Sequence, residues 1–161
     1  RAPSPRMKRR GASEPAGAAA WIDHAEAELS RAGHRAGGAR RAVIESLAAQ
    51  DCCRSAQEIF DGLRAQGRRV GIASVYRVLD LLAGLRLVHR LDLGGGVSRY
   101  EPALPGGEHH HHLVCVACGR VEPFADPRLE RAIDATARRS DHAVEEHDVV
   151  LRGRCPRCLA A

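Results

Sequence analysis

The sequence predicts an α+β protein in two halves: helices closed by a β-hairpin, then short strands around one helix. Three observations point there. Apolar residues recur at helical spacing in four segments between Trp21 and Ala83. Two alternating segments, Leu85–Leu93 and Val97–Glu101, flank Gly94-Gly95-Gly96, a hairpin signal. Beyond a stretch with two prolines and two glycines, Pro102–Glu108, two C-x2-C pairs bracket the remaining pattern.

Each element has its own warrant. Residues 1–20, rich in Ala, Gly, Pro and Arg, read as a disordered tail. Trp21–Ala32 forms a helix with Trp21, Ile22, Ala25 and Leu29 on one face, stopped by Gly33. Ala39–Ala49 carries the stripe Val43, Ile44, Leu47. Ser55 and Glu58 have capping-box spacing, and Ile59, Phe60 and Leu63 follow. Ile72–Ala83 turns Val75, Val78, Leu79 and Leu82 inward and leaves Ser74, Arg77 and Asp80 outward, with Tyr76 free to go either way. Helix-turn-helix plus hairpin, over residues 21–101, is a winged-helix pattern, though a generic small α+β domain satisfies it equally. Pro102–Glu108 reads as a hinge. In residues 109–161, His109–Val116 and Val121–Phe124 read as strands, Asp126-Pro127 as a helix start, and Val144–Leu151 as a last strand.

Composition narrows the function classes. The 161 residues carry a formal net charge of +5, compatible with an anionic partner such as nucleic acid. No apolar run approaches the length of a membrane span. The five basic residues of Arg1–Arg10 are followed by no apolar stretch, so no secretory signal is read. A cytoplasmic location with no membrane partner is expected, and the six cysteines are expected as reduced thiols.

Their spacing gives them a role. Cys115-Val-Ala-Cys118 and Cys155-Pro-Arg-Cys158 are two matching C-x2-C pairs. Two such turns complete a tetrahedral zinc shell, and four thiolates leave no place for water, so the site is structural rather than catalytic. Glu108 is followed by His109-His110-His111-His112. On a strand, alternate side chains take opposite faces. His110 and His112 therefore form one imidazole pair, His109 and His111 another, and each suits zinc, iron or nickel. Each pair needs further ligands. Cys53, His89, Glu101, Glu130 and His147 are candidates, and spacing does not rank them.

The segments Ser55–Phe60, Ala73–Leu79, Ser98–Glu101, His109–Gly119 and Cys155–Cys158 together resemble the ferric uptake regulator (Fur) superfamily, which includes iron, zinc, nickel, manganese and peroxide sensors. The resemblance implies an N-terminal winged helix-turn-helix domain and a C-terminal α/β dimerisation domain. It implies structural zinc at Cys115, Cys118, Cys155 and Cys158. It implies a regulatory zinc or ferrous site at Cys53, His89, Glu101, His110 and His112, and an additional site at His109, His111, Glu130 and His147. Recognition of a double-stranded DNA operator would fall to Ser74, Tyr76 and Arg77 on the fourth helix, with Arg35 at the minor groove and Arg40 and Arg41 at phosphate. The implied function is that of a homodimeric repressor of metal-homeostasis genes with metal as corepressor. It is not an enzyme and takes no small organic substrate. This sequence departs from the family at two places: Ala103-Leu104 stand where zinc sensors carry a cysteine, and Pro123 stands where iron and peroxide sensors carry an acidic ligand. Metal identity is thus left open, and a peroxide- or nickel-responsive regulator is an alternative. A zinc enzyme would need an open zinc position. A zinc-ribbon interaction module gives no reason for the helical half or the histidine strand.

Overall fold

The computed structural model describes residues 15–35, 37–104, 110–145 and 147–160. They form two compact units, 15–104 and 110–160.

The first unit is built by helices burying the stripes read above. Helix α1 (Pro15–Arg31) buries Trp21, Ala25 and Leu29. Helix α2 (Gly38–Ala48) buries Val43, Ile44 and Leu47. Helix α3 (Ala56–Ala65) buries Ile59 and Leu63, and helix α4 (Ile72–Gly84) buries Val75, Val78, Leu79 and Leu82. All belong to one core, and each fully buried aliphatic side chain contributes about 1.5–3 kcal/mol. Trp21 fixes α1 further: its indole N–H donates to the Leu87 carbonyl at 3.2 Å, which satisfies the ring's one polar group inside the core.

The α3 start follows the sequence closely. Ser55 Oγ accepts from the Glu58 N–H at 3.2 Å, and the Glu58 carboxylate accepts from the Ser55 N–H at 2.7 Å. Gly67, at φ +71°, ends the turn after α3 as a left-handed residue. Strand β1 (Arg54–Ser55), β2 (Val88–Asp92) and β3 (Ser98–Pro102) form an antiparallel sheet in the order β1-β3-β2. Its β2–β3 hairpin is the wing.

The second unit has strands β4 (His111–Cys115), β5 (Val121–Phe124) and β6 (Val150–Gly153) in the order β5-β4-β6. β4 runs antiparallel to β5 and parallel to β6. Helix α5 (Pro127–Arg139) starts where read, with the Asp126 carboxylate accepting from the Arg128 N–H at 2.7 Å and proline at its first turn. Helix α6 (Pro156–Leu159) follows β6.

Several boundaries differ from expectation. Residues 15–20, read as tail, are the first turns of α1: the alanines that make the stretch low in complexity are also strong helix formers. Residues 1–14 lie outside the described residues. The strand expected from Leu85 starts at Val88, because Arg86 takes a left-handed φ of 57° that turns the chain out of α4. Pro102, read as hinge, closes β3 opposite Val88, a strand end being where a missing N–H is tolerated; 105–108 lie outside the described residues. The strand expected over 144–151 is confined to Val150–Gly153 by its parallel register on β4, His112 to Val150 through Cys115 to Gly153.

Candidate metal centres and DNA-facing surface

The four cysteines meet because two pairings converge. β4 ends at Cys115, and Gly119, at φ +72°, lets the turn carry Cys118 back beside it. The parallel register sets Gly153 against Cys115, which delivers Cys155 two residues later, and the turn of α6 returns Cys158. All four Sγ atoms lie within 4.8 Å of one another. Cys118 and Cys155 Sγ are 3.8 Å apart, and the Cys155 N–H donates to Cys115 Sγ at 3.3 Å. N–H groups of Cys155, then Cys118, stabilise the Cys115 thiolate and bring its pKa down to about 6, whereas the hydrogen bond with Cys155 and the other thiols around it push Cys158 up to about 12. One anion is already favoured, and further anions need a cation. This donor set fits zinc.

The histidine strand splits as its alternation demands. His111 is buried, and its Nε2 is 2.7 Å from Oε1 of Glu130 on α5; His147 Nε2 is 3.0 Å from Oε2 of the same carboxylate. The ligand atoms of His111, Glu130 and His147 lie within 4.8 Å of one another. The structure thus brings together three of the four residues expected at an additional site; His109 lies outside the described residues. His110 and His112 leave the opposite face, with ring centroids 4.9 Å apart.

In the first unit, Cys53 Sγ lies within 4.8 Å of a Glu101 carboxylate oxygen. The β1–β3 register explains it: Arg54 opposes Tyr100, so the preceding Cys53 falls beside Glu101. The hydrogen bond from Cys52 and burial, with the charges of Cys52 and Glu101, push the Cys53 thiol far up. His89 is the Cα partner of Glu101 in the hairpin, yet it belongs to no cluster of three or more potential ligands among the described residues. Cys52, which sequence reading passed over, lies beside Cys53 with Sγ atoms 3.8 Å apart; the adjacent Cys-Cys dipeptide was its only signal.

The residues expected to face DNA lie on the same unit. Tyr76 is 49% exposed on α4. Arg77 is exposed and donates to Ser74 Oγ at 3.1 Å. Ser74, Arg77 and Arg40 line a shallow groove of about 390 Å³ with Gly37 and Gly38 at the start of α2. Arg35 is exposed, and its carbonyl accepts from the Arg40 guanidinium. Arg41 is engaged by Glu45 at 2.9 Å and Glu26 at 3.8 Å.

Residues 31–152 match the Ferric uptake regulator family. The chain belongs to that family. A ferric uptake regulation protein of Legionella pneumophila is 43% identical over 104 residues, covering 65% of this chain and 75% of that protein. One of Bacillus subtilis is 31% identical over 139 residues, covering 85% and 93%. Among solved structures, the Vibrio cholerae ferric uptake regulator superposes with a TM-score of 0.73 at 33% identity, over 83% of this chain and 100% of that one. The Helicobacter pylori ferric uptake regulator, described with three functional metal-binding sites, gives 0.77 at 25% identity over 95% and 97%. This chain is accordingly a Fur-family metal-dependent transcriptional regulator with an α+β fold, not an enzyme. Among the described residues, no helix is long and apolar enough to cross a membrane.

Proposed function

We propose that this chain is a cytoplasmic homodimeric repressor that binds a double-stranded operator when a divalent metal, zinc or iron, occupies its regulatory site, and that it controls metal-homeostasis genes. The observation that carries this reading is the convergence of donors at two separate places: Cys53 with Glu101 in the first unit, and His110 with His112 in the second. A site that draws on both sets makes the orientation of the winged helix depend on metal. The bound cation supplies positive charge that offsets the repulsion among these donors. Metal then favours the DNA-competent arrangement by its greater affinity for it.

The chain's own residues do the rest. Cys115, Cys118, Cys155 and Cys158 hold a structural zinc that fixes β4, β6 and the turns beyond them. His111, Glu130 and His147, with His109, form the additional site. α4 enters the major groove, where Tyr76 meets a thymine methyl or phosphate and Arg77 meets phosphate or guanine. Ser74 faces the duplex on the same helix, Arg40 and Arg41 hold phosphate, and Arg35 reaches the minor groove. Dimerisation through the second unit is supported by apolar surface left uncovered in one chain: no residue of α5 is buried, and Leu151 is 47% exposed. Similar structures with other ions keep the metal choice open, among them the Francisella tularensis regulator with iron and the Pseudomonas aeruginosa regulator with manganese.

The test is an operator gel shift with and without metal. The double variant His110→Ala, His112→Ala should keep its tightly bound zinc and lose metal-dependent binding. Intact metal-dependent binding in that variant would overturn the mechanism.

A further inference from the structure

Neighbouring residues on an extended strand send their side chains to opposite faces. Cys52 and Cys53 do not: their Sγ atoms lie 3.8 Å apart. The bend over Asp51-Cys52, just ahead of β1, turns the two thiols together. That separation has a chemical meaning. With a zinc–sulfur bond of about 2.3 Å and tetrahedral angles, two thiolates on one ion stand about 3.8 Å apart. The Sγ atoms of Cys118 and Cys155, in the four-cysteine group, show the same 3.8 Å. Glu101 stands beside one thiol of the pair: a carboxylate oxygen lies within 4.8 Å of Cys53 Sγ, while Cys52, Cys53 and Glu101 do not all fall within that distance of one another.

We propose that Cys52 and Cys53 act together as a two-thiolate clamp for a soft, thiophilic cation of the zinc class, with Glu101 on the Cys53 side of the pair. The proposal rests on the reading of Cys53 and Glu101 as regulatory ligands and deepens it by naming the class of metal. A site with one thiolate among oxygen and imidazole donors accepts iron, manganese or zinc. Two thiolates shift the choice toward zinc, cadmium or monovalent copper. Binding is proton-for-metal exchange: each thiol releases its proton to solvent as its sulfur bonds the ion, and no electron is transferred.

The full-length protein provides its own standard. Under anaerobic, reducing conditions, cobalt(II) replaces zinc, and thiolate-to-cobalt charge-transfer absorbance in the near ultraviolet scales with the number of sulfurs on the ion. The four-cysteine group, filled first, gives the four-thiolate value. The regulatory equivalent should then add about half that absorbance, and Cys52→Ser should halve the increment again while leaving the first step intact. Loss of an indirect partner already weakens metal binding by about 10–100-fold, so Cys52→Ser should weaken zinc at this site by at least about tenfold, with manganese nearly unchanged. An increment of about a quarter in the unmodified protein, unaltered by Cys52→Ser, overturns the clamp but leaves Cys53 as a single ligand. No increment, or one that Cys53→Ser leaves intact, overturns the clamp together with the regulatory reading of Cys53. The ratio is measured on the unmodified chain, so the result does not depend on a variant folding.

Discussion

His111 Nε2 lies 2.7 Å from Glu130 Oε1, and this contact joins the middle strand of the second sheet to α5. A carboxylate only accepts, so His111 presents its N–H to one oxygen while His147 presents its own to the other at 3.0 Å. The same three side chains can exchange those protons for a cation.

That dual use sets the first prediction. Glu130→Ala leaves the buried His111 ring without its acceptor and should cost about 1–3 kcal/mol, read as a lower urea midpoint at unchanged slope. Protein equilibrated with excess zinc should also bind one equivalent fewer than the unmodified chain. Unchanged stability and unchanged zinc content would refute both roles.

Removing the structural zinc should act on one unit only. Apparent binding energies at four-cysteine sites are about 10–16 kcal/mol, comparable with the whole stability of a small domain. Trp21 is the chain's single tryptophan and is packed in the first unit. A strong chelator should therefore reduce far-ultraviolet dichroism and expose residues 110–160 to protease while Trp21 fluorescence holds. Concurrent loss of the Trp21 signal would contradict this.

Proton release on zinc binding follows from the thiols. Cys115, brought down to about 6, is already largely a thiolate at pH 7.5, whereas Cys158, pushed up to about 12, must lose its proton to bind. Zinc should displace fewer than four protons, and apparent affinity should rise with pH through the neutral range. Calorimetry in buffers of differing ionisation heat measures the count. Four protons released at pH 7.5 would rule out the depressed Cys115.

Partial burial alone would raise the Glu58 carboxyl, but the Ser55 N–H and the Arg99 charge hold it below its ordinary value. A depressed carboxyl contributes stability that is fully present above its unfolded pKa of about 4.3 and is lost as pH falls through the folded value. Glu58→Gln should flatten the acid limb of the first unit's stability below about pH 4. Ser55→Ala should cost about 1 kcal/mol at neutral pH. Thermal melts followed by Trp21 fluorescence test both; an acid limb unaffected by Glu58→Gln would remove this linkage.

Arg77→Ala should weaken binding to all duplexes and reduce the salt slope by about one if it holds phosphate. If it reads guanine, the loss should concentrate at one base pair. Unaltered binding at every sequence would exclude both.

The sequence made long periodic segments and local capping signals legible. Ser55 with Glu58, and Asp126 with Pro127, are self-contained instructions, and the structure follows both. Cys115, Cys118, Cys155 and Cys158 were legible because a C-x2-C turn states its purpose in its spacing. Short elements carried no such signal: β1 has two residues and α6 four, too few for a period. Arg86 was hidden because an arginine gives no hint of a left-handed φ. Cys52 was hidden because an alternating strand rule sends it away from Cys53, and only the bend reverses that. Glu130 and His147, candidates of equal rank in sequence, are distinguished by the packing of α5 and the 147 loop against His111.

The family match begins at residue 31, where α1 ends. Yet Trp21, Ala25 and Leu29 are part of the interior, and the Trp21 indole is fastened to the Leu87 carbonyl at the corner between α4 and β2. A fragment trimmed to the shared homology would open a hole beneath the wing. Domain limits for this protein are therefore better drawn ahead of the first helix, and comparisons restricted to the common segment overlook a part of the scaffold that supports the reading head.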